Sequence, residues 1–306
     1  MPRYFGSGTL AGELGPAGDD DNTPSILDSG KSLYPRTSGI VVSRLGQRFA
    51  ALAADGRKAL NTYIVAGDPV PEATVPAMHA LVRGGADLIE LGVPFSDPEA
   101  EGPTIQAGIE RALAHDVTLA DVLDMVSAFR DDDRDTPVVL MGYLNPFLRM
   151  DYEAFCKRAA HAGVDGVIVV NLPPEEAGTF RNALGVRGMD LVLLVAPTTT
   201  SERAAYIAGQ GSGFLYYVSY KGVTGARRAD AASVAKRLTD VRAAARGLPV
   251  LVGFGITDGA SAANIAPHAD GVVVGSALVA TMGCTAVARI ADRLQAQVRE
   301  IRSALD

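Results

Sequence analysis

Eight short apolar runs alternate with helical stretches from Val41 onward, and this alternation limits the fold more than any other feature of the chain. Each run is too continuously apolar for a strand with one face in water, whereas parallel strands covered by helices on both faces have this pattern. Two intervening stretches, 72–85 and 200–211, end on glycines, as helices commonly do. The runs are LNTYIVAG (60–67), DLIELG (87–92), PVVLMGY (137–143), DGVIVVN (165–171), DLVLLVA (190–196), GFLYYVS (213–219), PVLVGFG (249–255) and DGVVVGS (270–276).

Eight parallel strands that alternate with helices predict an α/β chain with one closed (β/α)₈ barrel over residues 43–306, which begins with a helix near 43–54. A doubly wound open sheet is the alternative, and it is disfavoured because no GxGxxG opens a helix. Residues 1–42 are rich in Gly, Pro, Ser and Asp and lack apolar periodicity, so we expect a flexible N-terminal arm. An expression remnant or a partner-binding segment is the alternative for this arm, and its composition fits neither a secretory signal nor a transit peptide.

Charge and cysteine content exclude several function classes. The net charge of −7 and the lack of a basic stripe argue against nucleic-acid binding. No apolar run approaches the length of a membrane span, so no membrane contact is expected. Cys156 and Cys284 are predicted to be free thiols in a reducing cytoplasm. The histidines form no HxH or HExxH pattern, so no metal is implied.

The carboxyl ends of barrel strands carry the chemistry of such folds, and here the last strands end in glycines. GFG at 253–255 and GS at 275–276 would let backbone N–H groups approach an anion, and Ser276 can open a helix whose N-terminus favours phosphate. GVTGA at 222–226 adds a third glycine turn. These turns predict a phosphate site, although tight strand–helix connections alone would also account for them.

Two acids stand out in LIELGVPFSDPEAEGPTIQ (88–106). Glu90 interrupts an apolar strand, where a buried, unpaired carboxylate would cost several kcal/mol. A structural partner would explain it, but a general acid/base in a pocket is the stronger interpretation. Glu101 follows in a loop bounded by glycine and proline.

The chain resembles the tryptophan synthase alpha subunit family from about Val41 to its C-terminus. The resemblance implies a phosphate-binding barrel that cleaves indole-3-glycerol phosphate to indole and glyceraldehyde 3-phosphate. It also implies a beta subunit that carries pyridoxal phosphate and receives the indole, in an α₂β₂ heterotetramer, with no cofactor on this chain. The matching motifs, which occur in order, are YIVAGDP, ADLIELGVPFSDPEAEGPTIQ, VLMGYLNP, GVDGVIVVNLPPEE, LLVAPTTTSERAAYIA, GFLYYVSYKGVTGAR, VGFGI and GVVVGSALV.

The resemblance also assigns roles to residues. Glu90 holds the position of the group that exchanges protons with the substrate, and Glu101 that of the carboxylate facing the indole nitrogen. Tyr216 matches a substrate-contacting tyrosine, and Thr224 lies on a loop that closes over substrate. The implied indole wall is Tyr63, Met141, Ile168 and Val170, and the implied phosphate cradle is Gly225, Phe254, Gly255, Gly275 and Ser276.

Three positions depart from the family pattern. Glu101 stands where an Asp is usual, Asn171 also replaces an Asp, and Val170 replaces a smaller residue. These changes leave three alternatives to an ordinary lyase. The first is a weakly active or non-catalytic subunit that binds and activates a beta partner, and the second is a free-standing lyase that releases indole for a specialised pathway. The third, a phosphoribosyl isomerase barrel, would need a different acid/base pair.

Overall fold

The computed structural model describes residues 43–218, 231–253 and 255–306, so the predicted arm at 1–42 lies outside the described residues. Eight parallel strands form a closed barrel in which each strand pairs with the next and the last pairs with the first. The predicted TIM-barrel fold is confirmed, and the open sheet is wrong. The strands are β1 (Ala59–Val65), β2 (Leu88–Gly92), β3 (Val138–Gly142), β4 (Gly166–Val169), β5 (Asp190–Val195), β6 (Leu215–Val218), β7 (Val250–Gly253) and β8 (Gly271–Val274).

Helices follow the strands around the barrel. The predicted runs extend past most observed strands at their carboxyl ends, because the last residues of those runs already turn into the loops that carry chemistry. Within the described residues, no helix is long and apolar enough to cross a membrane. The helices are α1 (Arg44–Ala54), α2 (Thr74–Gly84), α3 (Pro103–Leu113), α4 (Leu119–Arg130), α5 (Leu144–Met150), α6 (Tyr152–Ala162), α7 (Gly178–Gly185), α8 (Ser201–Gln210), α9 (Ala231–Ala244), α10 (Gly259–Ile265), α11 (Ser276–Cys284) and α12 (Val287–Leu305).

The opening helix α1 covers the amino-terminal end of the barrel. Its apolar residues Leu45 and Phe49 belong to the same buried cluster as the inward-facing strand residues. Ser43 caps the helix by accepting a hydrogen bond from the Gly46 N–H (3.2 Å) and donates to Asp190 at the start of β5 (2.7 Å). The helix therefore closes the barrel at the amino-terminal ends of the strands. We expect the site at the carboxyl-terminal ends.

Aspartates directly before β2, β4 and β8 tie each of these three strands to the one before it. Each carboxylate accepts a backbone N–H from the preceding strand and pairs with an arginine, which offsets the cost of burying its charge. The strand bonds join Leu60 to Asp87 (2.9 Å), Val138 to Asp165 (2.8 Å) and Val250 to Asp270 (2.9 Å), and the arginines are Arg302, Arg130 and Arg242 respectively.

The side chains of the barrel divide between an interior and an outer layer. Alternate strand residues point inward, and the others pack against the helices. Cys156, which is buried in α6, and Cys284, which is exposed at the end of α11, are both free thiols, as predicted.

Candidate active site

A cavity of about 160 Å³ opens at the carboxyl end of the barrel, and eight of the predicted site residues line it. The cavity contains both candidate carboxyl groups, several apolar walls and the glycines that follow the last strands. Its lining residues are Tyr63, Glu90, Glu101, Ile105, Met141, Tyr216, Gly253, Gly255, Ile256, Val273, Gly275 and Ser276.

A larger cavity, of about 490 Å³, lies at the opposite end of the barrel beside α1. Its polar groups are already engaged, since Arg242 pairs with Asp270 and Lys58 donates to the Ala269 carbonyl. It contains neither of the buried carboxyl groups that the sequence singles out. The smaller cavity is therefore the candidate active site.

Glu90 lies in the middle of β2 and points into the barrel, fully buried. One carboxyl oxygen accepts a hydrogen bond from the Asn61 side-chain amide on β1 (2.7 Å). The other oxygen, Oε1, has no hydrogen-bond partner among the described residues. Burial raises the pKa of Glu90, and the hydrogen bond from Asn61 opposes this effect in part. The resulting pKa is about 8. The carboxyl is therefore protonated at neutral pH and has one oxygen free to act, as a general acid requires.

Glu101 enters the same cavity from the loop between β2 and α3. The Tyr143 hydroxyl donates a hydrogen bond to its carboxylate and accepts one from the Ala100 N–H (2.8 Å). Phe95 stacks on the Tyr143 ring, with the ring centroids 5.3 Å apart. Partial burial raises the pKa of Glu101, and the Tyr143 bond opposes this by stabilising the ionised form. These contacts hold the loop against Tyr143, and the Glu101 carboxyl lines the same cavity as Glu90.

Glycines and a helix N-terminus form the side of the cavity beyond β7 and β8. Gly255 adopts a φ of +47°, a conformation that favours glycine. Gly275 precedes α11, and Ser276 is the first residue of that helix. The N–H groups of the first turn have no partners within the helix and are free to bind a ligand. Backbone donors of this kind suit a phosphate group.

The walls between these two sides are aromatic and apolar. Tyr63 on β1 and Tyr216 on β6 are both largely buried, and Met141 on β3 and Ile105 on α3 also line the cavity. Such a surface accommodates a flat hydrophobic ring, since burying apolar area is favourable.

Some predicted site residues lie elsewhere. Ile168 is fully buried in the barrel interior and does not line the cavity. Val170 follows β4 and bonds through its N–H to the Gly142 carbonyl (2.9 Å), also outside the cavity lining. A contact of either residue with substrate stays a prediction. Thr224, Gly225 and Phe254 lie outside the described residues.

The model of the family described as tryptophan synthase alpha chain matches residues 49–306. The tryptophan synthase alpha chain of Ralstonia nicotianae is 53% identical over 265 residues, which are 87% of this chain and 100% of that protein. This chain belongs to the tryptophan synthase alpha chain family. Its relative from Laribacter hongkongensis is 55% identical, over 87% of this chain and 100% of that one.

Solved structures agree with the family assignment. The tryptophan synthase subunit alpha of Legionella pneumophila has a TM-score of 0.80 at 42% identity, over 86% of this chain and 98% of that one. A tryptophan synthase from M. tuberculosis in an aminoacrylate-bound form has a TM-score of 0.76 at 38% identity, over 86% of this chain and 100% of that one. Membership makes the chain a lyase of tryptophan biosynthesis.

Sequence reasoning missed the two residues that hold the carboxyl groups of this alpha chain. Asn61 lies 29 residues before Glu90, and Tyr143 lies 42 residues after Glu101. A polar Asn inside the apolar run LNTYIVAG was the available signal for Asn61, because a buried amide needs a partner. Tyr143 closes the third predicted run, where a strand-end residue faces the site.

The departure at Asn171 has a structural explanation. Its side-chain oxygen accepts a hydrogen bond from the Leu144 N–H at the start of α5 (2.8 Å). An amide oxygen accepts such a bond as an aspartate oxygen would, so this exchange keeps the loop contact. Asn171 does not line the cavity.

Proposed function

We propose that this chain cleaves indole-3-glycerol phosphate into indole and glyceraldehyde 3-phosphate. The observation that carries the proposal is Glu90, a fully buried carboxyl with one unpartnered oxygen and a pKa raised to about 8, in a cavity that Glu101 also lines. Two carboxyl groups with different environments are what this reaction needs, since one must give up a proton while the other stays ionised.

In the first step, the protonated Glu90 donates its proton to indole C3. Protonation moves positive charge onto the indole nitrogen. The Glu101 carboxylate, oriented by Tyr143, stabilises that charge, and a preorganised carboxylate in a cavity of low polarity is effective for this. Glu90 is now ionised, in a site where ionisation is unfavourable, and is therefore a stronger base than an ordinary carboxylate.

In the second step, ionised Glu90 takes the proton of the glycerol hydroxyl next to the ring. The carbon–carbon bond breaks, its electron pair returns to the indole ring, and the hydroxyl carbon becomes the aldehyde carbon of glyceraldehyde 3-phosphate. Glu90 regains its proton, so the cycle closes with atoms and electrons balanced. No step draws on a cofactor, and we expect none on this chain.

Gly255, Gly275 and Ser276 hold the phosphate through backbone N–H groups, with Gly225 and Phe254 proposed to complete the cradle. Tyr63, Met141 and Tyr216 contact the ring and glycerol carbons, and Thr224 is proposed to close over them. The family further implies a tryptophan synthase beta subunit, with pyridoxal phosphate on that partner, as the acceptor of the indole in an α₂β₂ assembly.

The test of this function is release of indole from indole-3-glycerol phosphate by the purified chain, alone and with a tryptophan synthase beta subunit. Indole formation that the beta subunit stimulates is the expected result. Formation that does not respond to the beta subunit would contradict the partner assignment, and no indole under either condition would contradict the proposed reaction.

Substitution of Gly255 is expected to weaken phosphate binding. Valine at a φ of +47° is strained, and its side chain would project away from the described residues, none of which has an atom within 4 Å of the Cβ position. We expect the Gly255→Val form to bind glyceraldehyde 3-phosphate about tenfold or more weakly in calorimetric titration, a loss of about 1.4 kcal/mol per factor of ten. Gly188→Val is the matched control, because Gly188 also has a positive φ (+72°) and open space but lies outside the cavity. An equal loss of affinity in Gly255→Val and Gly188→Val would contradict the assignment of Gly255 to the phosphate site.

The pH dependence of kcat/KM should reveal the acid form of Glu90. The proton is bound below its pKa of about 8, so kcat/KM should fall as pH rises through about 8. The Asn61 bond lowers that pKa, so Asn61→Leu should move the alkaline limb to higher pH. If the alkaline limb of the kcat/KM profile does not shift in the Asn61→Leu protein, the limb reports the ionisation of a group other than Glu90.

A further inference from the structure

The Tyr63 side chain lies along the cavity wall between the phosphate side and the carboxyl side. A Cβ atom at Gly275 would be 3.3 Å from Tyr63 Cδ1, and one at Gly92 would be 2.4 Å from the Tyr63 hydroxyl oxygen. The ring therefore passes close to the backbone at Gly275, and its hydroxyl end lies close to Gly92. Gly92 leaves room for the hydroxyl, which a side chain at that position would displace.

The position of this hydroxyl is set by the strand register. Tyr63 on β1 is the direct neighbour of Glu90 on β2, and Gly92 lies two residues further along the same face of β2. Burial raises the pKa of Tyr63 well above its usual value, and the nearby Glu101 and Glu90 carboxyls raise it further. The hydroxyl therefore lies near both acids and keeps its proton.

Several polar atoms around Glu90 lack partners among the described residues, and Asn61 Oδ1 is one of them. No described residue forms a hydrogen bond with the Tyr63 hydroxyl, and Glu90 Oε1 has none either. The Tyr143 hydroxyl differs, since it both donates to Glu101 and accepts from Ala100. Glu90 Oε1 is a buried polar atom without a partner, which costs stability unless a ligand satisfies it. The Tyr63 side chain lines the same cavity and its hydroxyl is also open, so the two together indicate a place for a polar group of the ligand.

We infer that the Tyr63 hydroxyl donates a hydrogen bond to the glycerol hydroxyl oxygen that Glu90 deprotonates, which makes Tyr63 a further catalytic residue; this rests on the proposed cleavage. As the proton passes to Glu90 Oε1 and the carbon–carbon bond breaks, that oxygen carries developing negative charge before it becomes the aldehyde oxygen. The Tyr63 hydroxyl stabilises this charge and transfers no proton.

The test removes the hydroxyl from the protein and from the ligand separately. Tyr63→Phe should lower kcat for indole release at least tenfold, toward the ~10²–10³-fold typical of a lost oxyanion donor, with little change in KM. The second ligand is a propyl-linked indole phosphate, which has the ring and the phosphate but no hydroxyls. Its dissociation constant should be the same for Tyr63→Phe and the parent, which also shows that the variant retains a folded cavity.

Tyr217→Phe is the matched control, because Tyr217 is a buried tyrosine of β6 that packs in the layer between barrel and helices. Tyr217→Phe should change neither kcat for indole release nor the dissociation constant of the hydroxyl-free ligand. Unchanged kcat in Tyr63→Phe would overturn the inference, as would a loss of affinity for the hydroxyl-free ligand equal to the loss in kcat/KM. A parent protein that releases no indole would instead overturn the proposed function, so the two failures are distinguishable.

Discussion

Glu90→Gln is expected to lower kcat for indole release by the ~10²–10⁴-fold typical of a lost general acid/base. Glutamine keeps the shape of the side chain and can still accept the Asn61 hydrogen bond, but it cannot exchange the proton that passes to indole C3. The measurement is steady-state cleavage with saturating beta subunit. If the Glu90→Gln protein turns over nearly as fast as the parent, Glu90 is not the general acid/base and its role is structural.

Stability provides the control for this variant. The folded protein holds the Glu90 pKa at about 8, above its usual 4.5, so the carboxyl costs stability that grows as pH rises from 4.5 to about 8. Glutamine has no such cost, and the Gln form should therefore melt at a temperature equal to or above that of the parent at pH 8. The difference should shrink toward pH 4.5. Glu110→Gln, at an exposed position of α3, should alter neither cleavage nor melting.

Glu101→Ala is expected to remove most of the parent activity, because Glu90, the other carboxyl group of the described cavity lining, exchanges the proton and is not available to stabilise the indole nitrogen. Glu101→Asp shortens the side chain by one methylene, which withdraws the carboxylate by on the order of 1.5 Å. The Tyr143 bond indicates that the loop accommodates the longer residue, so we expect the Asp form to lose activity as well. Misplacement by ~1 Å can cost about 10²-fold.

Indole release from the parent and both variants, with saturating beta subunit, decides between the outcomes. A faster Asp form would show that Glu101 impairs catalysis in this chain. Equal rates for the parent and the Ala form would exclude a catalytic role for Glu101 and with it the two-carboxylate mechanism. Binding of the beta subunit should persist in both variants, which separates a catalytic defect from a loss of assembly.

The sequence was sufficient to predict those residues at the carboxyl end of the barrel that differ from their immediate neighbours in the chain. Glu90 interrupts an apolar run, and the glycines at 253–255 and 275–276 follow strands directly, so neighbouring residues were enough to mark them. Residues of the implied indole wall were harder. Met141 lines the cavity, whereas Ile168 on the next strand lies in the barrel interior, and both are simply apolar strand residues in the sequence.

Local sequence patterns were sufficient to predict the strands, their parallel arrangement and the family, because continuous apolar runs and ordered motifs are properties of neighbouring residues. The pairs of side chains that meet in the site became known from the three-dimensional fold. Asn61 holds Glu90, Tyr143 holds Glu101, and the aspartates before β2, β4 and β8 bond to the preceding strand. These contacts join residues 20 to 42 positions apart. They depend on the register between strands and on closure of the barrel, which no local pattern encodes.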